Sequence, residues 1–234
     1  MPFVSAIGVF MSDVARGFVE TARLAVDSRS TLGGAARRAL DIVIAAALVV
    51  LLAPLLLVVA VMVWAQDGGP ALFAHERIGL GGKGFKCLKF RTMLTDSEAR
   101  LAALLASDPV ARAEWARDHK LRCDPRITRL GRFLRRSSID ELPQLLNVLR
   151  GEMSLVGPRP IVQAEIARYG RRFRHYANVK PGITGLWQVS GRNNTTYRRR
   201  IALDSVYGRR STLGLYLKIL ILTVPAVLLS RGSF

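Results

Sequence analysis

The chain has 234 residues, a formal net charge of +18 and hydrophobic residues at 50% of its positions. A soluble domain rarely combines so many apolar residues with so much positive charge, so the composition favours a protein that keeps one part in lipid and rests on an anionic surface. Cys87 and Cys123 form no CxxC pair and have no histidine cluster beside them, so neither a zinc site nor a disulfide framework is predicted, and a cytosolic setting fits.

The N-terminal half is dominated by one apolar run. Residues 1–36 are weakly patterned, and we treat them as an N-terminal extension without an assigned role. The run 39–65 is apolar apart from Asp41. At about 27 residues and roughly 40 Å it exceeds the ~30 Å hydrocarbon core of a bilayer. A single transmembrane helix is the simplest interpretation.

Two features favour a helix that instead bends and returns to the same face of the membrane. Pro54 lies at the centre of the run, where it removes a helix hydrogen bond and forces a kink. Basic residues, among them Arg37 and Lys89, flank both ends, and the positive-inside rule would place one flank of a spanning helix on the wrong side. We therefore predict a re-entrant membrane helix over 37–66 and a cytoplasmic domain over 67–234.

The next segments predict a β-hairpin followed by surface helices. A strand-like piece, a glycine-rich tip and a period-two alternation together predict a hairpin over 71–90. The glycine-rich tip is not a Walker A loop, because no Gly-Lys-Ser/Thr follows. Residues 96–119 predict a helix interrupted near Asp108, and the arginine-rich stretch 126–135 predicts a short basic amphipathic helix.

Two adjacent carboxylates, Asp140 and Glu141, stand just after a pair of arginines at the predicted start of a helix. Pro143 lacks a backbone N–H and is tolerated only within the first turn, so we place the helix start at 138–140. An apolar face then recurs at Leu142, Leu145, Leu146 and Leu149. Gly151 fits the position that ends the helix. The first-turn N–H groups of such a helix attract anions, phosphate in particular.

Asp140 has a structural and a chemical interpretation. If Asp140 only caps the helix N-terminus, its change to Ala should lower the free energy of unfolding by about 1 kcal/mol. Carboxylates at i and i+1 diverge on a helix, so an opposed acid/base pair of the glycosidase type is not expected. A helix N-terminus and nearby arginines should keep Asp140 ionised near neutral pH.

Downstream, Pro158 and Pro160 bracket Arg159 and fix the local backbone. This arrangement is either a rigid loop with an exposed arginine or a preset phosphate clamp. Asp204 lies between two arginine blocks, with which it most simply pairs, although it could reach a site.

The remaining segments predict two helices and a loop. We predict a helix over 161–176. We also predict a loop over 180–193, whose glycines allow the backbone to approach a ligand closely. Trp187 in this loop could pack in the core, lie at a lipid interface or stack against a base. Residues 213–229 predict an interfacial helix. The predicted fold is therefore α+β but mainly helical, a monotopic membrane protein with a Pro-kinked re-entrant helix, a small β-hairpin and interfacial amphipathic helices.

Several of these motifs occur together in one known family. Ser-Ile-Asp-Glu-Leu-Pro-Gln (138–144), Val-Gly-Pro-Arg-Pro (156–160), Lys-Pro-Gly-Ile-Thr-Gly-Leu-Trp-Gln (180–188) and Lys-Phe-Arg-Thr-Met (89–93) closely resemble the bacterial sugar transferases. These are monotopic polyprenyl-phosphate sugar-1-phosphate transferases that begin exopolysaccharide, O-antigen and glycoprotein glycan assembly. The resemblance covers roughly residues 37–234. Ala53 stands where relatives often carry a serine that could support the bend.

The resemblance implies transfer of a hexose 1-phosphate from a UDP-sugar to a polyprenyl phosphate, with release of UMP. It implies Asp140 as the nucleophile of an aspartyl–phosphosugar intermediate and Glu141 as a ligand of Mg²⁺. It also implies that Arg135 and Arg159 bind phosphate and that Arg192 faces the nucleotide.

The resemblance places the protein at the cytoplasmic face of the bacterial inner membrane, in contact with its lipid. Its implied partners are a UDP-hexose, with galactose or glucose expected, and polyprenyl phosphate. The oligomeric state is left open, with a homodimer among the alternatives. The rival interpretation is a non-catalytic membrane-anchored scaffold that binds anionic lipid. Nucleic acid is not a predicted partner, because an apolar run dominates and no binding motif is recognisable.

Overall fold

The computed structural model describes residues 31–118, 121, 124–190 and 196–228. Within these residues the fold is mainly helical with small two-stranded sheets, in agreement with the predicted class. The α-helices are α1 (Thr31–Trp64), α2 (Ser97–Ser107), α3 (Pro109–Asp118), α4 (Arg129–Ser137), α5 (Gln144–Arg150), α6 (Ile166–Tyr169), α7 (Phe173–Ala177), α8 (Leu186–Val189), α9 (Tyr197–Arg210) and α10 (Leu213–Leu228). The strands are β1 (Leu72–Ile78), β2 (Gly84–Phe90), β3 (Ser154–Val156) and β4 (Gly182–Thr184). Short 3₁₀ turns lie at Leu80–Gly82, Ile139–Glu141, Gln163–Glu165 and Gly170–Arg172.

Helix α1 contains the long apolar run and continues through Pro54 without interruption. It begins at Thr31, earlier than predicted. Its segment Gly33–Trp64 is long and apolar enough, by length and composition alone, to cross a membrane. Large apolar side chains along it are exposed, among them Val50 and Leu57. The kink at Pro54 and the re-entrant course stay predictions.

The acidic residue in this run, Asp41, is buried and fixes the first part of α1 to its surroundings. Its side chain is 3% exposed. Its Oδ1 accepts hydrogen bonds from the Tyr216 hydroxyl (2.8 Å), the Ser154 hydroxyl (3.0 Å) and the Leu155 N–H (2.8 Å). Three donors at one carboxylate offset the cost of removing it from water. Asp41 therefore ties α1 to β3 and α10.

Strands β1 and β2 pair as the predicted hairpin. At its tip Gly81 and Gly82 have φ values of 66° and 72°, a left-handed region that favours glycine. The predicted interruption of the following helix is also confirmed. Helix α2 ends before Asp108, whose Oδ1 accepts from the N–H groups of Val110 (2.8 Å) and Ala111 (3.1 Å) and so caps α3.

The chain divides into two compact units. In their described parts, the first is drawn from residues 1–52, 74–88 and 144–231, and the second from residues 53–73, 89–143 and 232–234. The predicted division into 1–36, 37–66 and 67–234 stays a prediction.

In the first unit, β3 and β4 form a parallel pair in which Ser154 lies opposite Gly182. This corrects the predicted loop over 180–193, which contains β4 and α8 in its described part. The glycines serve the packing of the chain on itself: a Cβ on Gly182 would lie 2.0 Å from the backbone nitrogen of Gly157, and one on Gly185 would lie 2.0 Å from the Gly157 carbonyl oxygen.

The single helix predicted over 161–176 is wrong in detail. A 3₁₀ turn, α6, a second 3₁₀ turn and α7 replace it. Gly170 has a φ of 50°, which interrupts the helical path after Tyr169. The buried rings of Tyr169, Phe173 and Tyr176 nevertheless lie in one core cluster.

In the second unit, α4 packs closely on the chain that follows β2. Val63, Phe90 and Leu134 are buried together in its core. A Cβ on Gly131 would lie 2.1 Å from the Thr92 carbonyl oxygen, so only glycine fits at this crossing. This close packing sets the position of the C-terminal end of α4, where the candidate site begins.

Candidate active site

The sequence predicted that Asp140 and Glu141 lie on the first turn of a helix. In the structure they lie instead in the segment between α4 and α5. Helix α4 ends at Ser137, and Ser138 adopts a left-handed conformation with φ 58°. The two carboxylates follow on a 3₁₀ turn, and α5 begins only at Gln144. Helix α5 has seven residues and ends at Arg150. Gly151 follows it with a φ of 84°, as predicted for the residue that ends the helix.

Asp140 is a buried carboxyl group with cations nearby. Its residue is 7% exposed. Burial raises its pKa to about 6 and the neighbouring Glu141 also favours the neutral form, whereas Lys89 and Arg135 favour the ionised one. The group therefore remains largely ionised at neutral pH, as predicted, but from a raised pKa, because desolvation outweighs the nearby cations.

Lys89 on β2 connects the two carboxylates. Its Nζ donates a hydrogen bond to Glu141 Oε1 at 2.6 Å and lies 4.0 Å from Asp140 Oδ2. From the sequence, Lys89 was placed in a basic flank and in the family-like motif 89–93, but it was not predicted to belong to the site. The period-two pattern of β2 could have indicated which face it shares, but not that residue 141 lies beside it.

Arg135 joins the same group of charges from the last turn of α4. Its Nε donates to the Thr92 hydroxyl at 2.9 Å, which fixes the guanidinium near Asp140. The structure thus brings together Arg135, Asp140 and Glu141, and adds Lys89.

Arg159 is exposed between two buried prolines, Pro158 and Pro160, in the first unit. Its guanidinium carbon lies 5.9 Å from the centroid of the Trp187 ring. Burial of both prolines holds the backbone, whereas the charged side chain is exposed. The predicted phosphate clamp stays a prediction. Arg192, the predicted nucleotide contact, lies outside the described residues.

Asp204 is 1% exposed and lies inside the first unit. Its Oδ2 accepts from the Tyr169 hydroxyl at 2.8 Å, so its hydrogen-bond partner is a tyrosine and not an arginine of the flanking blocks. Burial raises its pKa to about 7, and Tyr169, Arg200 and Arg159 oppose that shift. Its Oδ1 has no hydrogen-bond partner within the part of the chain that is described.

The implied Mg²⁺ site depends on few donors. Among the described residues, no group of three or more His, Cys, Asp or Glu side chains could hold a metal ion. Mg²⁺ in phosphoryl-transfer sites is held by one or two carboxylates together with substrate phosphates. The carboxylate of Glu141 is an oxygen donor of this kind and fits that mode of binding.

Comparison with known proteins adds an independent finding. A family model for bacterial sugar transferases matches residues 32–230. The chain is 54% identical over 169 residues to an undecaprenyl-phosphate galactose phosphotransferase of Salmonella typhimurium, across 72% of this chain and 36% of that protein. It is 47% identical over 203 residues to the exopolysaccharide production protein ExoY of Sinorhizobium fredii, across 87% of this chain and 90% of that protein.

A third relative is the UDP-glucose:undecaprenyl-phosphate glucose-1-phosphate transferase of Caulobacter vibrioides, 44% identical over 220 residues, across 91% of this chain and 74% of that protein. The lengths of the relatives differ. The chain spans little more than a third of the Salmonella protein (36%) but nearly the whole of ExoY (90%).

Proposed function

This chain belongs to the bacterial sugar transferase family, and from that premise we propose that it transfers a hexose 1-phosphate from a UDP-sugar to a polyprenyl phosphate and releases UMP. The names of the Salmonella and Caulobacter relatives support this class of reaction. The observation that carries the proposal is the buried Asp140 beside Glu141 and Lys89. These residues would act as a nucleophile, a metal ligand and a fixed cation.

In the first half of the reaction, the Asp140 carboxylate attacks the phosphorus that bears the sugar. A P–O bond forms to the carboxylate oxygen, the P–O bond to UMP breaks with its electron pair, and UMP leaves. A pKa of about 6 leaves most of the Asp140 carboxylate ionised above pH 7, as this attack requires.

In the second half, a phosphate oxygen of the polyprenyl acceptor attacks the same phosphorus. The new P–O bond completes a diphosphate linkage, and the bond to Asp140 breaks to restore the carboxylate. Because UMP leaves before the acceptor reacts, one turnover of UMP release needs no acceptor.

Positive charge stabilises both steps. Lys89 and Arg135 lie beside the carboxylates, where negative charge develops on the transferred phosphoryl group. Glu141 would hold Mg²⁺, which neutralises diphosphate charge when bound. Arg159 would bind a substrate phosphate, since a guanidinium held in place loses less entropy on binding.

We place the reaction at the cytoplasmic face of the inner membrane, as the first membrane step of exopolysaccharide synthesis. The exposed apolar surface of α1 and the ExoY relative support this setting. Galactose or glucose is the proposed sugar, because relatives that act on each are similar to this chain.

The first prediction concerns UMP release from UDP-galactose and UDP-glucose, measured with and without polyprenyl phosphate and Mg²⁺. We expect the purified chain to release UMP from one of these donors. We expect Asp140→Asn to reduce the rate at least a thousandfold, because a carboxamide cannot supply the attacking oxygen.

Asp96→Asn is a matched control. Asp96 is an exposed aspartate in the same unit, paired with Arg100, and its variant should keep the wild-type rate. Wild-type rates from Asp140→Asn would refute the nucleophile assignment. An absence of UMP release from any UDP-sugar would favour the non-catalytic scaffold instead.

A further inference from the structure

A separate concave surface of the first unit is strongly basic. It is an open concavity of about 610 Å³ between the α6 region and the start of α9. Its lining includes four arginines and two tyrosines: Arg168, Arg171, Arg172, Arg198, Tyr169 and Tyr197. We call this surface the arginine cavity. None of the residues that the proposed reaction uses lines it.

The walls of the arginine cavity are fixed by buried contacts. Tyr169 is 3% exposed, and Ile201 at the base of the cavity is 6% exposed. The guanidinium carbon of Arg168 lies 3.7 Å from the centroid of the Tyr197 ring, a cation–π contact that orients it along the wall. The cavity is therefore held open by packed side chains on two helical segments.

The acidic residues behind the cavity are already engaged. Asp204 accepts from the Tyr169 hydroxyl at 2.8 Å. Glu165 accepts from the Tyr197 hydroxyl at 3.0 Å and from Arg200 at 3.1 Å. Across the described ranges, no cavity arginine forms an ion pair with a carboxylate. The cavity arginines are therefore not neutralised by carboxylates of the described residues, and they can interact with an anionic ligand.

We propose that the arginine cavity binds a phosphate-bearing anion. Guanidinium groups bind phosphate oxygens in pairs of parallel hydrogen bonds, and several around one concavity suit a ligand with more than one negative oxygen. A basic surface that only contacts solvent requires neither a concave shape nor an arginine held in place, as Arg168 is by the Tyr197 ring. The phosphate comes either from a soluble diphosphate or from the headgroup of an anionic lipid.

The test compares two charge-matched double variants of the full chain in neutral detergent micelles. Arg171→Gln/Arg172→Gln removes two charges from the cavity. Arg209→Gln/Arg210→Gln removes two exposed charges from the end of α9, outside the lining. Binding of inorganic pyrophosphate and of short-chain phosphatidylglycerol is measured by calorimetry at fixed salt, with short-chain phosphatidylcholine as the neutral comparison.

We expect the cavity variant to weaken binding of one anion at least tenfold, while the control weakens it less than twofold. Loss of pyrophosphate binding identifies a soluble ligand, and loss of phosphatidylglycerol binding identifies a headgroup. Equal weakening by both variants would show general charge attraction and overturn the proposal. Unchanged binding in the cavity variant, or no binding by the wild type, would overturn it as well. Circular dichroism of both variants excludes unfolding as the cause.

Discussion

The proposed reaction needs an ionised Asp140, whereas the fold buries this side chain, and burial opposes ionisation. Its pKa of about 6 lies above the ordinary value of an aspartate because burial removes water from the carboxylate. Ionisation of Asp140 is therefore less favourable in the folded protein than in the unfolded chain, and at neutral pH this difference lowers the free energy of unfolding. The burial of the proposed nucleophile therefore lowers the stability of the folded protein at neutral pH.

The second prediction follows from the sign of that shift. The unfolded chain releases the Asp140 proton near pH 4 and the folded chain near pH 6, so the folded state loses stability as pH rises through this window. Asp140→Asn avoids the cost. We expect it to raise the free energy of unfolding at pH 8 by about 1–3 kcal/mol, and by nearly nothing at pH 4, in denaturant titrations.

Glu141→Gln is the comparison for this measurement. Glu141 is more exposed and is hydrogen-bonded to Lys89, so its variant should not gain stability at pH 8. If Asp140→Asn were instead less stable by about 1 kcal/mol at both pH values, a capping role of Asp140 would account for the residue.

At the scale of elements, the site depends on how closely α4 approaches the chain after β2. Gly131 lies against the Thr92 backbone, and one turn later Arg135 donates to the Thr92 hydroxyl. The same approach therefore supplies both the packing of α4 and the position of its guanidinium. Any side chain at residue 131 would separate them.

The third prediction is that Gly131→Ala lowers the free energy of unfolding by about 1–3 kcal/mol and reduces UMP release. The added Cβ would lie 2.1 Å from the Thr92 carbonyl oxygen, so α4 would have to move. Gly214→Ala is a helical control with open space around its Cβ position, and it should be neutral or stabilising by up to about 1 kcal/mol. Equal effects of the two variants in thermal unfolding would contradict the close packing.

At the scale of the whole molecule, exposed apolar side chains and positive charge occur in the same chain. Val50 and Leu51 on α1, and Ile221 and Val224 on α10, are exposed. A net charge of +18 favours anionic headgroups. Both properties fit a protein bound to a membrane. The topological question is then whether α1 crosses the membrane or returns to the same face.

The fourth prediction is that both flanks of α1 lie on the cytoplasmic side. Single cysteines are introduced as Ala35→Cys and Lys83→Cys in a chain with Cys87→Ala and Cys123→Ser. A membrane-impermeant maleimide should label both in inverted inner-membrane vesicles and neither in spheroplasts. Labelling of the two positions from opposite sides would show that α1 crosses the membrane.

The sequence predicted the elements that depend on neighbouring residues. The apolar run of α1, the hairpin, the break at Asp108 and the end of α5 at Gly151 all follow from local periodicity or from single residues with restricted backbones. The family also followed from the sequence, because its motifs are long and continuous. The single helix predicted over 161–176 was wrong because Gly170, with a positive φ, interrupts the helical path.

The tertiary structure alone decided the environment of the reactive groups. The pairing of Lys89 with Glu141 joins residues that are far apart in sequence, and no local pattern encodes it. The same is true of Asp204, whose partner is Tyr169. The sequence by itself determined which chemical groups the protein has and how they are spaced along the chain. Only folding decided their burial, and with it the raised pKa of Asp140, because burial depends on contacts between distant segments.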